Sequence, residues 1–182
     1  GMQQYAATWT GDTGGDASTM IGIFNYCMAC HTNVSCDLEV TSPDKLHYGF
    51  LLPYAQFLCW AQWQYPWFLD KNKEDMIRSY SKLRSSLFPY IYTMAHKASK
   101  TGLPILRPLP LVYEDTDRFD DVRNMYMFGD NLLVGVFDMH LDLPDGVWID
   151  YFTGKEYSGV VDYEIPEGRG GALFVRKGSV IF

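Results

Sequence analysis

The feature that most constrains the fold is a change of pattern near residue 103. Residues 73–101 place apolar side chains at helical spacing, and Gly102 is a natural helix end. Short β-rich runs separated by Gly and Pro follow it, whereas strands and helices alternate before it. We therefore predict an α/β domain over residues 1–102 and an all-β, sandwich-like domain over residues 103–182.

Two strands and one helix are predicted in the first 40 residues. The strands are Tyr5–Thr10 and Asn33–Val40, which are rich in aromatic and β-branched residues. Between them, residues 17–31 repeat apolar side chains at helical spacing, and Asp16 or Ser18 could cap that helix. This order is typical of a parallel α/β layer.

Prolines set the expected boundaries in the next 60 residues. The segment Thr41–Asp44 is predicted to be a turn. Residues 47–63 are strongly aromatic and partly helical by pattern, with Pro53 in the first turn. Because a proline inside a helix removes a hydrogen bond and clashes with the preceding turn, Pro89 predicts a break near Phe88.

Composition and charge exclude several classes of protein. The chain is 47% hydrophobic and 20% charged, which is enough apolar material for a packed core. Its net charge of −7 falls entirely on residues 103–182, and no basic stripe is present to bind phosphates. No apolar run reaches the roughly 18 residues of a membrane span. We expect neither a nucleic acid nor a membrane partner.

The cysteines give no strong sign of a cofactor. Cys27, Cys30 and His31 match the C-x-x-C-H pattern of covalent haem attachment, but they continue an apolar stretch. Cysteine in such a stretch usually packs as a small buried hydrophobe. Cys36 and Cys59 are scattered singles rather than a second ligand pair for zinc. Core packing is favoured over haem, metal or disulfide, and no cofactor is predicted.

Carboxylates follow the two predicted strands at the positions where parallel layers carry their functional groups. Asp12 follows the first strand, and Asp37 or Glu39 lies at or near the end of the second. Carboxylates near aromatic side chains suit a sugar site, because they can act as a general acid or base and can hydrogen-bond to the sugar hydroxyls. Exposed aspartates after strands are also ordinary loop residues, so the pattern alone leaves both interpretations open.

Aromatic side chains supply the other candidate sugar contacts. Trp9, Trp60 and Trp63 are candidate substrate-binding residues, since indole faces can pack against the apolar faces of sugar rings. Indoles at these spacings are also common in protein cores.

Five short motifs lie in order along the chain: Tyr5–Asp12, Leu87–Tyr92, Gly102–Leu109, Tyr126–Val134 and Leu143–Tyr151. Together they resemble the motifs of family-31 glycoside hydrolases, the α-glucosidase and α-xylosidase family. The first resembles the family's Tyr-Ala-Gly-x-Trp-Thr-Gly-Asp segment.

The resemblance implies a fold and a chemical role. The fold would be the later strands and helices of a (β/α)8 barrel followed by a β-sandwich-like domain. In the family, the Asp of the Trp-Thr-Gly-Asp motif is the general acid/base, which corresponds to Asp12. Family members are retaining enzymes in which a second carboxylate on an earlier strand attacks the anomeric carbon.

The chain departs from the family pattern in several places. Residues 58–66 lack the family's substrate-contacting His, and Ser35–Val40 replaces a Gly-x-Asp-x-x-Gly-Phe segment while keeping Asp37. The strand that carries the nucleophile is also missing. We therefore expect a fragment of a retaining α-glycosidase-like hydrolase that binds carbohydrate but is inactive alone.

Two further expectations follow from a partial barrel. The alternative function is a non-catalytic carbohydrate-binding or assembly module. In either case the strand edges of an opened barrel need cover, either by self-association or by the missing barrel half.

Overall fold

The computed structural model describes residues 7–57 and 65–181, which form a mixed helix and sheet structure. The first part alternates short strands with helices. Its elements are β1 (Thr8–Trp9), α1 (Ala17–Met28), β2 (Val34–Ser35), β3 (Asp37–Leu38), α2 (Pro43–Phe50), β4 (Gln56–Phe57), α3 (Lys71–Ser86) and α4 (Phe88–Thr101).

The strands of this first part pair in parallel, as the alternating pattern predicts. β1 pairs with β2, so that Trp9 lies opposite Ser35, and β3 pairs with β4, so that Asp37 lies opposite Gln56. Among the described residues, neither β1 nor β4 has a second strand partner. The predicted strand over Asn33–Val40 therefore forms as two short pieces between two other strands.

Helix α1 begins where the sequence predicts and ends earlier. Asp16 is its N-cap and accepts a hydrogen bond from the Thr19 amide at 3.0 Å. The helix ends at Met28 rather than at residue 31, because Cys30 adopts a left-handed backbone with φ of 63°.

The turn predicted at Thr41–Asp44 is wrong in part, since helix α2 begins there. Ser42 is the N-cap residue and Pro43 occupies the first turn, where its missing amide hydrogen costs nothing. The helix ends at Phe50, before Pro53. Arg84 then donates three hydrogen bonds to this segment, at 2.7 to 2.8 Å, to the carbonyl oxygens of Phe50, Leu52 and Pro53.

The break predicted at Pro89 is confirmed. Helix α3 ends at Ser86 and α4 begins at Phe88, with Leu87 between them and Pro89 in the first turn of α4. Gly102 ends α4 with φ of 77°, a conformation that glycine adopts without steric cost. No helix within residues 7–57 and 65–181 is both long enough and apolar enough to cross a bilayer.

The remainder of the chain is β-rich, as predicted. Six antiparallel strands form one sheet in the order β10-β9-β12-β7-β6-β5, and β8 pairs with β11. The strands are β5 (Leu106–Pro108), β6 (Met125–Phe128), β7 (Leu132–Gly135), β8 (His140–Asp142), β9 (Trp148–Asp150), β10 (Glu156–Tyr157), β11 (Val160–Asp162) and β12 (Ala172–Arg176).

The six-stranded sheet is a middle layer that is buried on both faces. Along β6, Tyr126 and Phe128 join the hydrophobic core that the sheet shares with the helices. Met125 and Met127 point the other way, into a second core that also contains Leu141 of β8. Successive residues of a strand face opposite sides of the sheet. A strand that is covered on both sides therefore needs an uninterrupted run of apolar residues.

A buried histidine joins the helices to this sheet. His47 of α2 is fully buried, and its Nδ1 and Nε2 lie 2.7 Å from the Tyr80 hydroxyl and 3.1 Å from the Ala172 carbonyl oxygen. The Gly170 amide donates to the same Tyr80 hydroxyl at 3.1 Å. Both ring nitrogens are therefore satisfied, as expected of a core histidine without a catalytic role.

Candidate active site

Two side chains from neighbouring strands donate hydrogen bonds to the Asp37 carboxylate of β3. They are Trp9 of β1 and Gln56 of β4. Trp9 Nε1 donates to Asp37 Oδ1 at 3.0 Å, and Gln56 Nε2 donates to the same oxygen at 2.7 Å. Asp37 is 2% exposed, whereas Trp9 is 50% exposed. The parallel pairing explains this convergence, because β1 and β4 lie on either side of the segment that carries Asp37.

Asp12 lies on the loop that follows β1, and it is exposed. It lies near enough to Asp37 to contribute to raising the pKa of that carboxyl group. The structure thus brings together three of the predicted site residues, Trp9, Asp12 and Asp37, at one edge of the layer.

Asp37 is harder to ionise than an ordinary aspartate. Burial is the main reason that its pKa is raised, and the hydrogen bond and negative charge of Asp12 raise it further. The hydrogen bonds from Gln56 and Trp9 oppose this shift, because they stabilise the charged form. Such a balance between burial, a like charge and polar donors is typical of functional sites.

Tyr54 ties together the backbones that carry these groups. Its hydroxyl donates to the Thr8 carbonyl oxygen at 2.8 Å, and its own carbonyl accepts from the Ser35 hydroxyl at 2.6 Å. Ser35 and Tyr54 therefore link the strands on both sides of Asp37. These bonds hold the carboxylate site on fixed backbone rather than on a free loop.

Glu39, the alternative to Asp37 in the sequence, has a different role. It forms an ion pair with Lys45 at 2.7 Å, with 14% of its side chain exposed. Its oxygen Oε1 also lies 3.3 Å from where a Cβ on Gly14 would be. Glu39 therefore supports the loop next to Asp12.

The remaining sequence candidates divide into two groups. Trp60 and Trp63 lie outside the described residues, as does Tyr5 of the first motif. Cys27 is 2% exposed, and burial raises the pKa of its thiol to about 12. A thiol so placed is inert, which supports core packing over haem attachment.

Gln56 is the site residue that sequence reasoning missed. Its amide makes the shortest described hydrogen bond to Asp37, yet it lies 19 residues away along the chain. The only sequence signal is its place near the end of a short β-like run after Pro53. Strand register, which the sequence does not reveal, puts it opposite Asp37.

Comparison with known proteins gives a consistent result over the whole chain. Residues 102–181 match the model of the glycosyl hydrolase family 31 C-terminal domain. Alpha-glucosidase 2 of Bacillus thermoamyloliquefaciens is 27% identical over all of this chain and 26% of its own length. The alpha-xylosidase of Saccharolobus solfataricus is 26% identical over all of this chain and 28% of its own length.

A solved structure agrees with these sequences. The GH31 dextranase of Flavobacterium johnsoniae, complexed with isomaltotriose, superposes with a TM-score of 0.81 at 26% identity. The alignment covers 95% of this chain and 25% of the dextranase. The chain thus spans about a quarter of the length of these relatives, and by the family model, the aligned relatives and the shared fold it belongs to glycosyl hydrolase family 31.

Proposed function

We propose that this chain supplies the acid/base part of a retaining α-glycosidase that hydrolyses the O-glycosidic bonds of α-glucosides or related sugars. Asp12 protonates the departing glycosidic oxygen and later accepts a proton from the attacking water. The observation that carries this proposal is the convergence of Asp12, Asp37 and Trp9 at one edge of the parallel layer.

The surroundings of Asp12 suit a sugar. Trp9 is half-exposed with its Nε1 fixed on Asp37, so its ring is held in one orientation three residues before Asp12 along the chain. An indole held this way offers an apolar face to a sugar ring while Asp12 remains open to the glycosidic oxygen. Asp37, and Trp60 and Trp63 by sequence, complete the proposed carbohydrate contacts.

We propose further that residues 1–102 belong to the later part of a (β/α)8 barrel and residues 103–182 to the β-domain that follows it. Parallel strands with intervening helices support the first assignment, and the antiparallel sheet supports the second. The free edges of β1 and β4 would then pair with the remaining barrel strands. The same edges also allow self-association.

The chain alone is expected to lack turnover. Asp37, which lies at the same edge as Asp12, is buried beneath two donors rather than open to an anomeric carbon. A retaining mechanism needs a second carboxylate about 5 Å away that can form a covalent bond to the sugar. We propose that another part of a longer polypeptide supplies it.

The test is hydrolysis of aryl α-glucosides and α-xylosides, with aryl β-glucosides as the stereochemical control. We expect the product of the full reading frame to cleave the α-anomers with retention of configuration. We expect no sustained cleavage by the chain alone. Sustained cleavage by the chain alone, abolished by Asp12→Asn, would mean that the nucleophile lies within these residues.

A further inference from the structure

We propose that the cleft between α2, α3 and the loop of residues 167–169 binds a neutral sugar, as a carbohydrate site separate from the Asp12 edge. The cleft has a volume of about 610 Å³, which is within the range of small-molecule sites. The described residues that line it include none of the groups around Asp37. This second site would therefore exist whether or not Asp12 is the acid/base.

One wall of the cleft is held in place by the contacts of Arg169 and Gly170. The Arg169 guanidinium donates to the Ser79 hydroxyl of α3 at 2.6 Å. The Gly170 amide donates to the Tyr80 hydroxyl at 3.1 Å, and a Cβ on Gly170 would lie 1.7 Å from the Pro43 carbonyl oxygen of α2. Because this loop is packed directly onto both helices, the cleft is formed before any ligand arrives, which lowers the cost of binding.

The deeper part of the cleft is apolar, whereas the outer part is polar. Leu46 and Met76 line it and are buried. Asn72 and Glu167 line it and are exposed, and Ser79 adds a hydroxyl group. A sugar has the complementary chemistry, because its hydroxyl groups both donate and accept hydrogen bonds while its ring carries apolar C–H faces.

The charges at the cleft favour a neutral ligand over an ion. The described lining residues include three carboxylates and two cations, which are Asp70, Asp75, Glu167, Lys73 and Arg169. Lys73 is already paired with Asp70 at 2.9 Å, and the Lys73 amide donates to the same carboxylate at 3.0 Å. An anion would meet the carboxylates and a cation would meet Lys73 and Arg169. A hydroxyl group, by contrast, forms charge-assisted hydrogen bonds with both kinds of side chain.

An exposed group of aromatic rings lies next to the cleft along the chain. Tyr65 stacks on Trp67 with ring centroids 5.2 Å apart and an interplanar angle of 18°, and Phe68 packs edge-on against both. The Phe68 amide donates to the Tyr65 carbonyl oxygen at 2.9 Å, which fixes the turn that carries the rings. Trp67 comes three residues before Asp70 of the cleft, so their Cα atoms are at most about 11 Å apart.

The stacking prepares Trp67 to contact a sugar ring. Trp67 is 69% exposed although Tyr65 stacks on its ring, so the indole is held in one orientation at the surface. A sugar whose hydroxyl groups are bound in the cleft could place the apolar face of its next ring on this indole. The rings and the cleft together therefore fit an oligosaccharide of two or three units.

The experiment is a titration of the chain with isomaltotriose, and separately with maltotriose, followed by amide chemical shifts in NMR spectra. We expect saturable shifts at Asn72, Lys73 and Gly168, with a Kd of about 1 mM for at least one of the two sugars. This Kd should change by less than about twofold between about 0.05 and about 0.5 M salt, because a neutral ligand is not screened. A rise of about tenfold over that range would show ionic recognition and overturn the assignment.

Trp67→Ala should weaken binding at the cleft by at least about fivefold, because the ring contact is lost. Tyr92→Ala is the matched control, since Tyr92 of α4 is also 69% exposed, and it should leave the Kd unchanged. Trp9→Ala, at the Asp12 edge, should also leave the shifts at the cleft unchanged. Amide spectra of the three variants show whether each folds, which is expected because all three side chains are half or more exposed.

Three results would overturn the proposal. The first is the absence of saturable shifts at the cleft with either sugar up to about 50 mM, roughly fifty times the expected Kd. The second is an equal loss of binding in Trp67→Ala and Tyr92→Ala. The third is a set of shifts at Trp67 and Phe68 that depends on protein concentration and not on sugar, which would assign the rings to contact between copies of the chain. Because no turnover is measured, each result is independent of whether the protein hydrolyses α-glycosides.

Discussion

Two buried titratable side chains, His47 and Asp37, lie in contrasting environments. His47 is fully buried and Asp37 is 2% exposed, so both have been removed from water. Each nitrogen of His47 has a neutral partner, and burial lowers its pKa to about 3. Asp37 is a carboxyl group, and burial instead raises its pKa.

This comparison distinguishes burial that stabilises the fold from burial that serves a chemical function. A neutral, fully bonded histidine strengthens the junction between helices and sheet, because each of its polar atoms is satisfied. A carboxylate buried from water opposes its own ionisation, and such a cost persists where it is part of the chemistry. We therefore expect changes at the two sites to have opposite effects on stability.

The largest effect is expected from Gly170→Ala at the junction. A Cβ at this position would lie 1.7 Å from the Pro43 carbonyl oxygen, so backbone must move and the Tyr80 contact is lost. We expect a loss of more than about 3 kcal/mol in the free energy of unfolding, measured by urea denaturation. Gly22→Ala, in α1 with open space around it, is the control and should stabilise slightly.

His47→Leu removes the histidine while keeping a side chain of similar volume. It removes one of the two partners of the Tyr80 hydroxyl and the histidine donor of the Ala172 carbonyl oxygen, which should lower the free energy of unfolding by about 2 to 3 kcal/mol in urea denaturation. His96→Leu, on the exposed face of α4, is the control and should change stability by less than about 0.5 kcal/mol. Equal effects at the two histidines would contradict the structural role of His47.

Acidification should remove the stability that His47 supplies. Its folded pKa is about 3 against an ordinary 6.5, so below pH 6.5 the unfolded chain binds a proton that the folded chain refuses. The contribution falls by about 1.4 kcal/mol for each pH unit between 6.5 and about 3. The difference of about 2 to 3 kcal/mol in the free energy of unfolding between the unmodified chain and His47→Leu should therefore close within about two pH units below 6.5 and then change sign. A gap independent of pH would contradict the assignment.

Asp37→Asn should have the smallest effect and the opposite sign. The Asn oxygen still accepts from Trp9 and Gln56 while the charge is removed, so we expect a gain of up to about 1 kcal/mol at pH 7. Asp150→Asn is the matched control, because Asp150 is 1% exposed and accepts from Phe152, Thr153 and Tyr163. The free energy of unfolding of Asp150→Asn, measured by urea denaturation, should fall by about 2 kcal/mol. A loss of stability in both Asp37→Asn and Asp150→Asn would contradict the expected difference between the two carboxylates.

Much of the fold follows from local sequence signals. Asp16 caps α1, Pro89 separates α3 from α4, and Gly102 ends α4, because each of these effects depends on the backbone of a few neighbouring residues. Only the end of helix α2 overlaps the helical pattern over residues 47–63, because its proline-led start mixes polar and apolar side chains and has the composition of a turn. Its stability comes from packing of residues such as Leu46 against distant parts of the chain.

The candidate site is predictable only in part for the same reason. Asp12 and Asp37 stand at strand ends, which is a local signal, and the family resemblance adds a role for Asp12. Gln56 and the bonds of Tyr54 depend on strand register between distant segments, which local pattern does not encode. The partners of His47 are as far as 125 residues away along the chain.

The most direct measurement of the central claim, that Asp12 is the general acid/base, compares two substrates in the product of the full reading frame. One is an alkyl α-glucoside, whose leaving group needs a proton, and the other is a dinitrophenyl α-glucoside, whose leaving group does not. Asp12→Asn should lower kcat/KM for the alkyl substrate by about 10² to 10⁴-fold and for the activated substrate far less. Equal losses on both substrates would contradict the claim.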